Sequence, residues 1–132
     1  MNGEFPYGYT QSPNLPAPEV SLAIQSPVRN DQKRDVVCVI DTGACVSCMP
    51  RRILEQLELK DYTTRNIAWG SGRISTHRMF AVNLVVYSVL LNDIWILETD
   101  KTYGLLGRDV LNAYRLLCDG PSRKWNVEPR WI

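Results

Sequence analysis

No stretch of this chain stays apolar for the roughly 20 residues that a membrane-spanning helix needs. Nor does Met1-Asn2-Gly3-Glu4-Phe5-Pro6 offer the basic segment and apolar run of a secretory leader. The expectation from both absences is a protein working in the cytoplasm, away from any membrane. An excess of one charge is missing too: 15 Lys and Arg stand against 14 Asp and Glu, a net of +1. So balanced a chain has little field with which to hold nucleic acid or an anionic membrane as its main partner. Dinucleotide and phosphate-loop glycine patterns are absent, and no internal repeat is detectable.

Cysteine is scarce and histidine scarcer, with Cys38, Cys45, Cys48, Cys118 and the single His77. Without a secretory leader, reduced thiols are the default. Cys45 and Cys48 form a C-x-x-C pair, but a structural zinc site takes four ligands. Only Cys38, Cys118 and His77 remain to complete one; Cys38 lies inside an apolar run, and no second closely spaced pair exists. Small free thiols are expected, with no metal and no organic cofactor. His77, beside Arg78, reads as a solvated side chain.

What is present suits one domain with its own core: 132 residues, 45% of them hydrophobic. Residues 1–18 carry Pro6, Pro13, Pro16 and Pro18 among Gly, Asn, Ser and Tyr, a mixture that reads as a flexible or partly extended N-terminal arm, with Tyr7 and Tyr9 able to dock on the domain at a place the sequence does not give. Residues 19–132 form the folded part. Glu19 to Gln25 alternates polar and apolar as a half-buried strand does, and Pro27 ends it. After a charged turn, Val36 to Ile40 returns as the second arm of a hairpin; five apolar residues in a row suit a strand covered on both faces. Pro50 fits the first position of a helix running through Leu59, with Ile53, Leu54 and Leu57 on one face. Ile67 to Ile74 is a glycine-punctuated hairpin. Ser75 to Val86 is a long strand, Asn92-Asp93 a turn, and Ile94 to Leu97 a buried strand. Arg108 to Ala113 makes one or two helical turns. Tyr114 to Cys118 and Lys124 to Val127 are strands around an Asp119-Gly120-Pro121 turn. The domain is therefore mainly β with one or two short helices, and Trp125 belongs to its core.

Two stretches stand out chemically. In the first, the strand Val36 to Ile40 runs into Asp41-Thr42-Gly43-Ala44. A carboxylate at the end of an apolar strand must be solvated, paired or used, and a turn cap is the plain alternative to a catalytic role. In the second, Leu105 and Leu106 sit between Gly104 and Gly107, followed by Arg108-Asp109 and a helical turn. Between them lies the glycine-bearing hairpin Trp69-Gly70-Ser71-Gly72.

In this order the three pieces resemble the retroviral-type aspartic proteases, the retropepsins and their cellular and bacterial relatives, over residues 19 to 127. The resemblance implies a small closed acid-protease barrel, active as a homodimer. It makes Asp41 the catalytic residue and Thr42, Gly43 and Ala44 its supporting loop. Thr42 would tie two such loops together through its hydroxyl, the Gly43 amide would hold the carboxylate, and Ala44 would leave room for substrate backbone. Trp69, Gly70, Ser71, Gly72, Arg73 and Ile74 would form the flap over an extended peptide. Leu105 and Leu106 would pack beneath the loop, with Gly107, Arg108 and Asp109 as structural support. Cys45 stands where relatives commonly carry Ser, Thr or Asp. In viral members an acidic residue there pairs with the later arginine, so Arg108 needs another partner, either Asp109 or an acidic group of a second subunit. Trp69 and Ser71 likewise set the flap tip apart from the glycine-richest viral flaps.

The sequence holds one Asp-Thr-Gly and no Asp-Ser-Gly. Amide hydrolysis by paired carboxylates needs two such groups, so the site is expected on a two-fold axis between two copies. An arm open to cleavage would also invite self-trimming near residues 10 to 20. The competing readings are a catalytically silent binding or dimerisation module on the same fold, and a redox or metal module using Cys45 and Cys48.

Overall fold

In a computed structural model of the chain, the described residues are 5–11, 15–29, 31–59, 62–68 and 71–129. Trp131 lies outside them. The elements run β1 (Tyr7–Gly8), β2 (Glu19–Gln25), β3 (Lys33–Ile40), β4 (Cys48–Pro50), α1 (Arg51–Gln56), β5 (Tyr62–Ala68) and β6 (Ile74–Val86). They continue as β7 (Val89–Thr99), β8 (Gly104–Leu106), α2 (Arg108–Leu111), β9 (Arg115–Asp119) and β10 (Lys124–Glu128).

The main sheet has the order β2-β3-β8-β4-β7-β6-β5, and β2 also pairs with β6. That extra pairing closes β2, β3, β8, β4, β7 and β6 into a barrel, which removes the exposed edges an open sheet would carry. Among the described strands of this sheet, β5 alone hangs outside the ring, bonded to β6. The barrel is filled by Ile24, Met49, Val82, Leu84, Val86, Ile96 and Leu106, all buried. A second, three-stranded sheet, β1-β10-β9, packs Trp125 and Val127 into the same core. No helix among the described residues is long and apolar enough to cross a membrane.

The β2–β3 hairpin forms as expected, with Glu19 opposite Val39 and Gln25 opposite Lys33. Three expectations need correction, all beyond the N-terminal segment, whose described part docks on the domain: Tyr7 is buried and β1 pairs with β10, Tyr7 opposite Trp125. A strand partner and an aromatic cluster supplied by the far end of the chain offset the ordering entropy. Strand β3 is covered on one face only; Val36, Cys38 and Ile40 point inward, whereas Val37 is 44% exposed and Val39 half-buried. The two-residue period of a strand decides this, because in a barrel wall only one set of side chains can reach the core. Helix α1 ends at Gln56, and Pro50 is its extended N-cap (φ −57°, ψ 131°), the last residue of β4. Ile53, Leu54 and Leu57 are still buried together.

Finally, Asn92 and Asp93 do not turn the chain. The hairpin turn is at Tyr87-Ser88, both with positive φ (47° and 73°), as tight two-residue β-turns require. Asn92 and Asp93 instead form a bulge, since Val82 pairs with Ile94 but Leu84 pairs with Leu91. Asp93 takes φ 53°, and its N–H donates to Asn83 Oδ1 at 2.9 Å.

Candidate active site

Pairing of β3 with β8 sets where Asp41 emerges. The strands run parallel with Val39 beside Leu105 and Ile40 beside Leu106, and the Asp41 N–H donates to the Leu106 carbonyl at 3.0 Å. The chain then curls back on the carboxylate. The Gly43 N–H donates to Asp41 Oδ1 at 2.9 Å, and the Ala44 N–H donates to the Asp41 carbonyl at 3.2 Å. An aspartate that organises the turn following it is an ordinary use of Asp. Here it also fixes the carboxylate in place, half-buried, with Thr42 and Gly43 exposed beside it.

The loop is tied from below by the second motif. The Arg108 N–H donates to the Ala44 carbonyl at 2.8 Å, and Arg108 Nη1 donates to the Thr42 carbonyl at 2.9 Å. Arg108 thus braces the backbone of the loop, and Asp109 is not its partner. The Asp109 carboxylate accepts from Ser47 Oγ at 2.7 Å, the Ser47 N–H at 3.0 Å and the Val110 N–H at 2.9 Å. Ser47, fully buried, in turn accepts from the Gly107 N–H at 3.0 Å. Gly107 has an ordinary φ of −99°, so what it supplies is space. A Cβ there would lie 2.8 Å from the Ala44 carbonyl oxygen and 3.0 Å from the Val46 carbonyl carbon, both backbone atoms. Ser47 escaped the sequence reading, because a serine before an apolar strand gives no sign that its partners lie some sixty residues away.

The two leucines part company. Leu106 is buried, but Leu105 is half-buried on the outward face. Leu105 belongs to a groove of about 490 Å³ that also contains Asp41. Alternation along β8 sends neighbouring side chains to opposite faces, which corrects the expectation that both leucines pack below.

Of the residues that the resemblance would make a flap, Trp69 and Gly70 lie outside the described residues. Ala68 pairs with Ile74, so residues 69–73 connect β5 to β6. Gly72 has φ +86°, a conformation that favours glycine, and Ser71, Arg73 and Ile74 are exposed. His77 is half-buried on β6, its Nε2 2.7 Å from Ser75 Oγ.

A second cluster, also missed in the sequence, lies on β7. Glu98 is buried and receives Arg51 Nε at 2.6 Å, Arg78 Nε at 2.6 Å and the Arg78 N–H at 2.9 Å. Burial by itself would raise the carboxyl pKa; the hydrogen bonds from Arg78 and Arg51 outweigh it and hold the group at about 2. Arg51 also reaches Asp100 at 2.6 Å, and the Arg78 guanidinium lies over the Tyr62 and Phe80 rings. This is a clamp between α1, β6 and β7.

The cysteines are free. Cys38 is buried, its thiol pushed up to about 12 by desolvation. Cys45 is exposed, whereas Cys48 is half-buried and its thiol is raised by burial first, then by the charges of Asp109 and Asp41. A raised thiol pKa works against the thiolate that redox or metal chemistry needs. Among the described residues, no three His, Cys, Asp or Glu side chains converge as a metal site would require.

Comparison with known proteins bears on the whole of this arrangement. A family model described as "gag-polyprotein putative aspartyl protease" matches residues 28–113, which include both motifs and the loops between them. Among solved structures, the EIAV protease complexed with the inhibitor HBY-793 superposes with a TM-score of 0.59 at 17% identity, over 79% of this chain and 93% of that one. The solution structure of the simian foamy virus (mac) protease gives 0.53 at 17% identity, over 71% and 91%. A search of curated proteins found no match. At such identity the structures speak for a shared barrel, while the family model spans well over half the chain. The chain belongs to the retropepsin-like aspartyl proteases of the gag-polyprotein family.

Proposed function

We propose that this chain is an aspartic endopeptidase that hydrolyses peptide bonds as a homodimer, with Asp41 contributed by each copy. The observation that carries this reading is the fixed, half-open Asp41 carboxylate on its braced loop, alone of its kind in the chain. One carboxylate takes a proton from water, whose oxygen attacks the scissile carbonyl carbon. The other, protonated, gives its proton to the carbonyl oxygen; collapse then passes a proton to the leaving nitrogen. Two such groups side by side share one proton because both cannot ionise cheaply.

The outer side of β9 supports pairing of two copies. Among the described residues it bonds only to β10, leaving an open strand edge with Leu116 and Leu117 half-buried beside it. Such an edge accepts a further strand. In the dimer, Thr42 links the two loops, Gly43 holds the carboxylate and Ala44 admits substrate backbone. Residues 69–74 serve as the lid over a peptide in extended conformation. No metal or cofactor takes part, and the cytoplasm is the proposed setting.

The test is Asp41→Asn on the full chain, using a peptide mixture read by mass spectrometry, with sedimentation and melting as controls. The expected result is an unchanged dimer and melting curve with cleavage lost. Cleavage equal to the parent would end the assignment. A second reading, a silent binding or dimerisation module, draws on the exposed Cys45 beside the loop and on Arg108 bonding a carbonyl instead of an acid. It predicts partner binding with no turnover anywhere between about pH 3 and 8, where carboxylate dyads titrate.

A further inference from the structure

The groove containing Asp41 has an outward-facing floor and a wall of different origin. Its floor is the outer face of β3 and β8, with Val37 and Val39 in line with Asp41 and Leu105 beside Val39. One wall is made by Thr10, Leu15 and Ala17 of the N-terminal segment; Glu19, Lys101 and Tyr103 complete the lining.

That segment is secured at both ends. Thr10 and Ala17 are clasped, the Thr10 N–H donating to the Ala17 carbonyl at 2.8 Å and the Ala17 N–H donating to Thr10 Oγ1 at 3.1 Å. Tyr9 bridges antiparallel to Pro18, and the Ile40 N–H donates to the Pro18 carbonyl at 2.9 Å, joining the segment to the strand that delivers Asp41. The Trp125 indole N–H is shared between the Gly8 and Glu19 carbonyls, each at 3.0 Å. Tyr7 lies against the Trp125 ring, centroids 4.6 Å apart.

A segment acting as a plug would bury its largest apolar side chain in the groove. Leu15 is 94% exposed and the groove stays open. An apolar side chain left in water beside an apolar floor is surface that a ligand's side chain can cover.

We infer that Thr10, Leu15 and Ala17 form a subsite wall on the protomer that supplies Asp41, seating a large apolar side chain of an extended peptide against Val39 and Leu105. This rests on the protease reading of Asp41. It makes the N-terminal segment part of the specificity apparatus, where the sequence suggested a leader for self-trimming.

The decisive experiment compares the full-length parent with Leu15→Asp and Leu15→Lys on one peptide mixture, with cleavage sites read by mass spectrometry. Because Leu15 is exposed, both variants should melt with the parent. Expected is a loss of about tenfold in cleavage of peptides with Leu, Phe or Met at one position near the cut. At that same position Leu15→Asp should gain Lys and Arg, and Leu15→Lys should gain Asp and Glu. Unchanged profiles in both variants would overturn the wall. So would a uniform rise in cleavage with no change of profile, the mark of a plug. Binding of the same mixture to the Asp41→Asn chain, with and without the Leu15 changes, needs no turnover. A parent that cleaves nothing but binds in a Leu15-dependent manner would sink the protease reading and keep the wall. Binding indifferent to Leu15 would sink the wall.

Discussion

The Asp41 loop and the β5–β6 hairpin belong to one sheet, but their contacts differ in range. Around Asp41, the bonds that matter join parts of the chain some sixty residues apart: Ser47 to Asp109, Gly107 to Ser47 and Thr42 to Arg108. They are buried or half-buried for the most part, and a glycine with no room for a methyl group sits among them. In β5, every residue except Ile67 is exposed, and among the described residues the strand bonds only to its sequence neighbour β6. The cross-strand pair Thr76 Oγ1 to Asn66 Oδ1, 2.8 Å, is exposed as well. Placement of a carboxylate thus draws on long-range buried polar contacts, while β5 is specified, among the described residues, by local pairing.

This contrast can be broken by substitution. Gly107→Ala should have the largest effect, a loss of about 3 kcal/mol in urea unfolding, because the added Cβ meets backbone that cannot swing aside. A loss below about 0.5 kcal/mol, as for a neutral surface change, would show that the loop yields after all.

Next comes the Glu98 clamp, where Arg78 at the base of the hairpin is tied to β7 and, through the shared carboxylate, to Arg51 of α1. Its carboxyl is held at about 2, below the ordinary carboxylate value of 4.5. The clamp's contribution is therefore complete above about pH 4.5 and lost as pH falls through 2. Its arginines are 42% and 36% exposed, so solvent screening reduces the contribution to about 2 kcal/mol. Urea unfolding of the parent and Glu98→Gln should differ by this much at pH 7 and converge towards pH 2. A gap independent of pH would contradict the assignment.

Ser47→Ala removes the hydroxyl between Gly107 and Asp109, leaving a buried N–H and part of a carboxylate unsatisfied, at a cost of about 1.5 kcal/mol. Thr76→Ala, by contrast, should change stability by less than about 0.5 kcal/mol. If the last two proved equal, the distinction between the regions would lose its footing.

Much of the barrel was legible because its strands obey a two-residue period and its turns use glycine and proline. Glu19 to Gln25, the strand into Asp41 and the helix after Gly107 all follow from local pattern. Leu105 could have been placed correctly from the same rule, since a neighbour of buried Leu106 in a strand must face the other way. Ser47 and Glu98 could not, as their partners are 62 and 20 to 47 residues distant. Asn92-Asp93 carries turn chemistry, but the fold spends it on a bulge because Tyr87-Ser88 has already reversed the chain. Docking of Tyr7 was open in the sequence but its place was not, for the same reason as Ser47: Trp125, which receives it, lies 117 residues beyond Gly8.

One aspartate per chain at the tip of the braced loop has a quantitative corollary under the dimer reading. The amount of working enzyme would then follow the square of the chain's concentration when copies are few, and only its first power once they are plentiful. Local crowding of the polypeptide would act as the trigger, and dispersal as the brake, with no added regulator.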